Sequence, residues 1–153
     1  MRWLELRIPP VLVVVVIAAA MHRVTLLVPA MRYAVPGSSV LAAVLAVAGG
    51  VVAALGVSEF RRAGTTVDPT RPGAAGSVVT TGVYRCSRNP MYLGLALILL
   101  ALAVRWSHPL AFAGVPAFVA YMNRFQIGPE ERALRAKFGP AFSAYVRAVR
   151  RWI

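Results

Sequence analysis

Between Val40 and Val57 the chain runs for 18 residues without one charged or hydroxyl-bearing side chain. At about 1.5 Å per residue an α-helix of that length covers ~27 Å, close to the ~30 Å hydrocarbon thickness of a bilayer. The stretch therefore predicts a membrane-crossing helix. Its small residues, Ala42, Ala43, Ala46, Gly49, Gly50, Ala53 and Gly56, would let a second helix approach closely, with Gly49 and Ala53 in small-x-x-x-small register. Three further apolar segments run from Ile8 to about Pro29, Pro90 to Val104 and Leu110 to Met122. Hydrophobic residues make up 59% of the 153-residue chain and the mean hydropathy is +0.68, against about 45–50% in soluble domains.

These segments predict an all-α fold: a polytopic membrane bundle of about four transmembrane helices, read as one domain over residues 1–153. The first cationic and apolar stretch lacks a small-residue cleavage site before a soluble domain, so it is read as the first membrane helix. Inside it, Arg23 lies near the helix end and is expected to snorkel to the interface. The last two apolar segments, separated only by Arg105–Pro109, predict a helical hairpin.

Charge sets the expected orientation. Seventeen cations, sixteen of them arginine, stand against five acidic residues, for a net charge of +12. With four crossings, fourteen cations fall on the side of both termini and the middle loop and three on the other. The positive-inside rule then puts both termini in the cytoplasm, together with all five acidic residues. Beside such apolar runs, anionic lipid headgroups are a better partner for this charge than nucleic acid. Cys86 is the only cysteine, so neither an internal disulfide nor a cysteine-based zinc site can form.

After the hairpin the pattern turns amphipathic. Pro129 suits a helix start, Glu130 and Glu131 complement its dipole, and Gly139-Pro140 ends it and begins another helix. Phe142, Tyr145, Val146, Val149 and Trp152 share one face of that last helix, with Arg147, Arg150 and Arg151 elsewhere, which predicts a helix lying on the membrane surface. The stretch from Arg61 to Tyr84, rich in Gly, Thr and Pro, reads as a loop.

Two polar clusters remain, "GVYRCSRNPMYLG" and "NRFQIGPEERALRAKFG". Helices joined by a short turn lie side by side, so both clusters should meet at one end of the hairpin and form one pocket. Considered singly, each residue has an ordinary reading. Arg85 and Arg88 suit lipid-facing anchors, Tyr92 an interface-belt tyrosine, Asn89-Pro90 a helix start and the glutamate pair a dipole partner.

"SRNPMYLG" followed by "PEERALRAKFGPAFSAYVRAVRRWI" resembles the isoprenylcysteine carboxyl methyltransferase and phospholipid methyltransferase superfamily of membrane enzymes. That pattern runs Arg-His-Pro-x-Tyr-x-Gly, Glu-Glu-x-x-Leu, Phe-Gly, Tyr and a terminal basic-aromatic pair. "FRRAGTTVDP" and "VTTGVYR" extend the resemblance to small bacterial members, so it covers about Glu59 to Ile153 and leaves residues 1–58 as N-terminal membrane helices. It implies S-adenosylmethionine as methyl donor, with S-adenosylhomocysteine as product and no Rossmann sheet.

Carried over by position, Arg88, Asn89, Pro90, Tyr92 and Gly94 occupy the first cofactor motif, and Glu130, Glu131 and Leu134 the second. Asn89 stands where histidine is common in the family, which keeps hydrogen bonding but removes an acid/base role. Chemistry agrees with these positions: Glu130 or Glu131 can accept ribose hydroxyls. Arg88, or next Arg124, can hold the methionine carboxylate. Tyr84 and Tyr92 can stack on adenine or face the sulfonium, and Gly94 permits close backbone approach. Asn123 and Arg124, at the hairpin exit, are the candidate catalytic residues, and no metal is expected.

The expected acceptor is a lipophilic molecule reaching the site from the bilayer. A prenylcysteine-like carboxylate is favoured, because with a pKa near 4 it is already ionised, whereas a thiol near 8.5 or an amine near 10 needs a base. A thiol or a phospholipid amine is the alternative acceptor. Two other classes compete: a non-enzymatic basic membrane module, and a membrane reductase that would bind a nicotinamide cofactor.

Overall fold

The computed structural model describes residues 2–65 and 72–153, and among these every regular element is helical. Asp68 and Arg71, which fall in the Arg61–Tyr84 loop, lie outside the described residues. Helix α1 spans Pro10–Leu27 and α2 Ser38–Arg62, both long and apolar enough to cross a membrane. Only 17% of the most apolar window of α2 is buried, and Val40, Leu41, Val44, Val47, Val51 and Leu55 stand exposed along it. A soluble core helix would hide such a stripe, so these side chains fit a lipid surface.

Helix α3, Pro90–Trp106, is apolar and 17 residues long. It lies against α2 at backbone contact. A Cβ on Gly49 would stand 2.6 Å from the Gly94 carbonyl oxygen, and one on Gly56 would stand 2.7 Å from Met91 Cγ. These small residues are the ones that the sequence marked for helix packing. Helix α1 closes the other side, where Val13, Val14 and Met21 join Leu99, Ala103, Ala111, Phe118, Met122 and Ile127 in the core.

The hairpin turn is tight because Ser107 takes a left-handed conformation (φ 46°) after α3. Buried His108 then sets its Nε2 2.9 Å from the Val28 carbonyl, tying the turn to the end of α1. The expected fourth helix is composite. A 3₁₀ turn over Pro109–Ala113 leads into α4, Gly114–Tyr121, then a π-helical turn, Met122–Ile127, which runs directly into α5, Gly128–Ala148. Gly139 breaks α5 with φ 53° and ψ −121° just before Pro140, as the Gly-Pro pair predicts.

The C-terminus corrects one expectation. Helical geometry stops at Ala148, and Val149 is extended (φ −126°, ψ 135°). Val149 and Trp152 therefore do not continue the apolar face of Phe142 and Tyr145. Residues 149–152 instead turn back across the starts of α3 and α5, because Arg88 and Asn89 offer donors to their carbonyls.

Candidate active site

The starts of α3 and α5 meet. Pro90 opens α3 at a position where the missing N–H costs nothing, and Asn89 precedes it as N-cap. The Asn89 side chain does not cap the helix; its Nδ2 donates to the Arg151 carbonyl at 2.8 Å, while its backbone N–H is taken by Ser87 Oγ at 3.1 Å. One side-chain amide thus tethers the returning tail.

Arg88 is the hub. Its side chain is 10% exposed; Nη1 donates to the carbonyls of Val146 and Val149 at 2.9 and 2.6 Å, and Nη2 to Glu131 Oε1 at 2.8 Å. The planar guanidinium reaches three acceptors at fixed angles, which a lysine ammonium would not do in one geometry. Glu131 also receives Arg151 through Nη2 at 2.6 Å and Nε at 3.1 Å. Burial alone would push the Glu131 carboxyl up, but the hydrogen bonds and charges of Arg151 and Arg88 outweigh it and hold the carboxyl below its usual value of 4.5.

Glu130 faces the opposite environment. Tyr92 Oη donates to its Oε1 at 2.5 Å and Gln126 Nε2 at 2.6 Å, with no cation among these partners. Burial dominates, and its carboxyl is pushed from 4.5 up to about 7. Adjacent glutamates on one helix are thus driven apart: one fixed as an anion, the other poised near neutrality.

Tyr84 lies beside this pair. Its ring packs 5.4 Å from that of Phe60, its carbonyl accepts the Tyr145 hydroxyl at 2.8 Å, and burial raises the Tyr84 phenol. The Tyr84 hydroxyl is buried with no hydrogen-bond partner, and so is Arg88 Nε. Two unused polar atoms at the edges of one cluster are the expected mark of a place for a polar ligand.

Asn123 belongs to the same cluster, its Oδ1 accepting from Trp152 Nε1 at 3.1 Å and from Arg151 Nη1 at 3.5 Å. Two predicted residues lie elsewhere. Arg124 turns to Glu5 at 3.0 Å with its side chain 54% exposed. Gly94 is buried against Gly49 and Ala53, so its close backbone contact is with α2.

Four participants were not among the site residues that the sequence predicts. Gln126 had a legible signal, since i,i+4 spacing puts it beside Glu130 on a helix. Arg151 and Trp152 are the terminal basic-aromatic pair, assigned there to a surface helix. Glu59 entered only as the start of the stretch that carries the resemblance. It is buried at the end of α2 and accepts Thr81 Oγ1 at 2.5 Å and Arg62 Nη1 at 3.1 Å. Gly82 (φ 56°) follows it closely, since a Cβ there would stand 2.6 Å from Glu59 Cδ. Glu59 therefore anchors the segment that carries Tyr84.

Two long apolar helices with exposed hydrophobic faces, and one polar cluster at the starts of α3 and α5, fit a membrane protein with a candidate site at the rim of its bundle. The chain belongs to the phospholipid methyltransferase family, whose model matches residues 38–141, and it is accordingly a membrane methyltransferase. It is also 46% identical over 63 residues to an uncharacterized protein of Haemophilus influenzae, a match covering 41% of this chain and 100% of that one. No solved structure matches.

Proposed function

We propose that the cluster at the starts of α3 and α5 binds S-adenosylmethionine and that the chain transfers its methyl group to a lipophilic acceptor, a prenylcysteine-like carboxylate first of all. The observation that carries this reading is the meeting of Tyr92 with Glu130 and of Arg88 with Glu131, flanked by two buried polar atoms without partners. The donor set fits the nucleotide: acceptors for ribose hydroxyls, a guanidinium for a carboxylate, and phenol rings for adenine or a sulfonium.

When bound, S-adenosylmethionine supplies an electrophilic methyl on a sulfonium. In this assignment Glu130 accepts the ribose hydroxyls, oriented by Tyr92 and Gln126. Arg88 offers Nε to the methionine carboxylate, with Asn89 and Glu131 fixing its plane. Tyr84 presents its free hydroxyl and ring. The returning tail, held by Asn123 and Glu131 through Trp152 and Arg151, excludes water from the site. Alignment and dryness are most of what an in-line displacement needs. An acceptor carboxylate is ionised at neutral pH and needs no base, and Asn89, a non-titrating amide, supplies none.

One observation favours a second acceptor class. A carboxyl held near 7 can take a proton from a thiol or an ammonium at neutral pH, and Glu130 is such a group. Thiol or phospholipid amine transfer is the runner-up for that reason.

Both termini and the cofactor site are assigned to the cytoplasmic face of a bacterial inner membrane by the cation bias. Exposed Arg61, Arg62, Arg85, Arg147 and Arg150 are then suited to anionic headgroups. The test is transfer of labelled methyl from S-adenosylmethionine by the protein in liposomes, with carboxylate, thiol and amine lipids offered in parallel. Base-labile methyl ester on the carboxylate lipid is the expected product. A folded protein that labels none of the three overturns the proposal.

A further inference from the structure

An apolar groove lies on the other side of the π-helical turn. Asn123, Gln126 and Glu130 belong to the cluster described above, whereas Tyr121 meets α1 and Arg124 reaches Glu5, just before α1. There, Ile8, Leu12, Val13, Val16, Ile17 and Tyr121 line an entirely apolar groove of about 230 Å³. That is smaller than the ~300–1,000 Å³ of pockets that take drug-sized ligands, and it suits a single hydrocarbon chain. Its α1 wall, Leu12–Ile17, covers about 7.5 Å of helix at 1.5 Å per residue, and Ile8 extends it toward the N-terminus.

The head of this groove is cationic. The Tyr121 ring stacks on Phe125 with centroids 5.0 Å apart, and the Arg124 guanidinium sits 5.3 Å over Phe125. Arg124 and Arg132 both bind Glu5, which lies three residues before the first groove residue. Two guanidiniums on one carboxylate leave a net positive charge, and exposed Arg7 adds another beside Ile8. Exposed Trp3 lies at the same end, as interface-anchoring aromatics do.

The groove is built and not incidental. Leu6 adopts φ 60°, a left-handed conformation that branched residues avoid, and its N–H donates to the Phe125 carbonyl at 3.0 Å. That carbonyl lacks its ordinary helical donor because Pro129, four residues on, has no N–H. The N-terminal segment is therefore locked onto the π-helical turn, bringing apolar wall and arginines together. The Tyr121 ring lines the groove, while its hydroxyl is buried behind that apolar surface.

We infer that this groove holds one anionic amphiphile of the bilayer, its hydrocarbon chain against α1 and Tyr121 and its anionic head on Arg124 and Arg132. Charge complementarity at its arginine end distinguishes it from bare lipid-facing surface. The inference rests on the membrane reading alone and does not require the Glu130 site to bind a nucleotide.

The experiment uses the full chain in phosphatidylcholine nanodiscs with a diazirine-bearing fatty acid, and the corresponding fatty alcohol as the uncharged arm. Crosslinked peptides are mapped by mass spectrometry. The carboxylate probe is expected to label peptides containing Leu12–Ile17 and Tyr121 at least fivefold above the alcohol. Val16→Trp, which fills the groove, should abolish that excess; Arg132→Gln should reduce it severalfold and Arg132→Lys should restore much of it. S-adenosylhomocysteine binding, measured on the same samples, separates failure here from failure of the methyltransferase site. Equal labelling by both probes, or labelling unchanged by Val16→Trp and by Arg132→Gln, would mean bulk lipid only and overturn the inference.

Discussion

Tyr92 and Glu130, 38 residues apart in the chain, share a 2.5 Å hydrogen bond in which the phenol donates and the carboxylate accepts. It joins the start of α3 to the start of α5, and with Gln126 it accounts for all the hydrogen bonds that the structure describes for this buried carboxyl. Tyr92→Phe keeps the ring and removes the donor. Leaving a buried acceptor short of a partner costs about 1–3 kcal/mol. The expected result is a lower melting temperature in detergent and about tenfold weaker S-adenosylhomocysteine binding, the equivalent of ~1.4 kcal/mol. Unaltered values for both would remove Tyr92 from the site.

The glutamate pair gives opposite pH signatures. Glu130 is raised to about 7 from 4.5, so the folded protein holds this proton more tightly than the unfolded chain. Its favourable contribution is complete below about pH 4.5 and is lost as pH rises through 7. Glu131 is depressed, so its contribution is present above 4.5 and is lost as pH falls through its lowered value. Melting temperature of the ligand-free protein should therefore fall between about pH 5 and about pH 7.5, and less so in Glu130→Gln. S-adenosylhomocysteine affinity should run the other way, rising as Glu130 ionises. A wild-type slope identical to that of Glu130→Gln contradicts both statements.

Arg88→Lys tests the hub. Lysine retains charge but cannot serve Glu131, Val146 and Val149 from one planar group. Breaking a buried, hydrogen-bonded ion pair costs about 3–5 kcal/mol, and part of the loss should appear as release of the tail. Limited proteolysis is expected to cut after Ala148 in the variant under conditions where wild type is protected. Equal protection would show that Arg88 does not hold the tail.

Gly94→Leu separates packing from ligand contact. Added carbons would run into the Gly49 carbonyl and Ala53 of α2, and overpacking of this kind costs about 1–3 kcal/mol. The melting temperature should drop while S-adenosylhomocysteine affinity of the folded fraction changes little. Loss of affinity at unchanged stability would give Gly94 the ligand role that the resemblance implies.

Much of this architecture was legible in the sequence for one reason: apolar length. Val40–Val57 marks α2 within a few residues of each end, and the short spacer Arg105–Pro109 requires α3 and the following helix to pair. The meeting of Arg88 and Tyr92 with Glu130 and Glu131 follows from that pairing. What stayed hidden depends on hydrogen bonds between remote backbone groups. The π-helical turn at Met122–Ile127 shifts the bonding register without disturbing the apolar pattern. The tail continues a helical periodicity through Trp152, yet Arg88 and Asn89 draw its carbonyls away at Val149 and Arg151. Arg124 was assigned to the cluster by its place at the hairpin exit, and Glu5, 119 residues earlier, captures it instead.

The central claim is that α3 and α5 present a single nucleotide site. Calorimetric titration of the detergent-solubilised protein with S-adenosylhomocysteine tests it most directly, using wild type and one variant from each helix start, Asn89→Ala and Glu130→Gln. One-to-one binding by wild type, weakened about tenfold or more by either substitution in folded protein, is the predicted result. Folded wild type that takes up no heat with the ligand, or variants that bind as tightly as wild type, would contradict it.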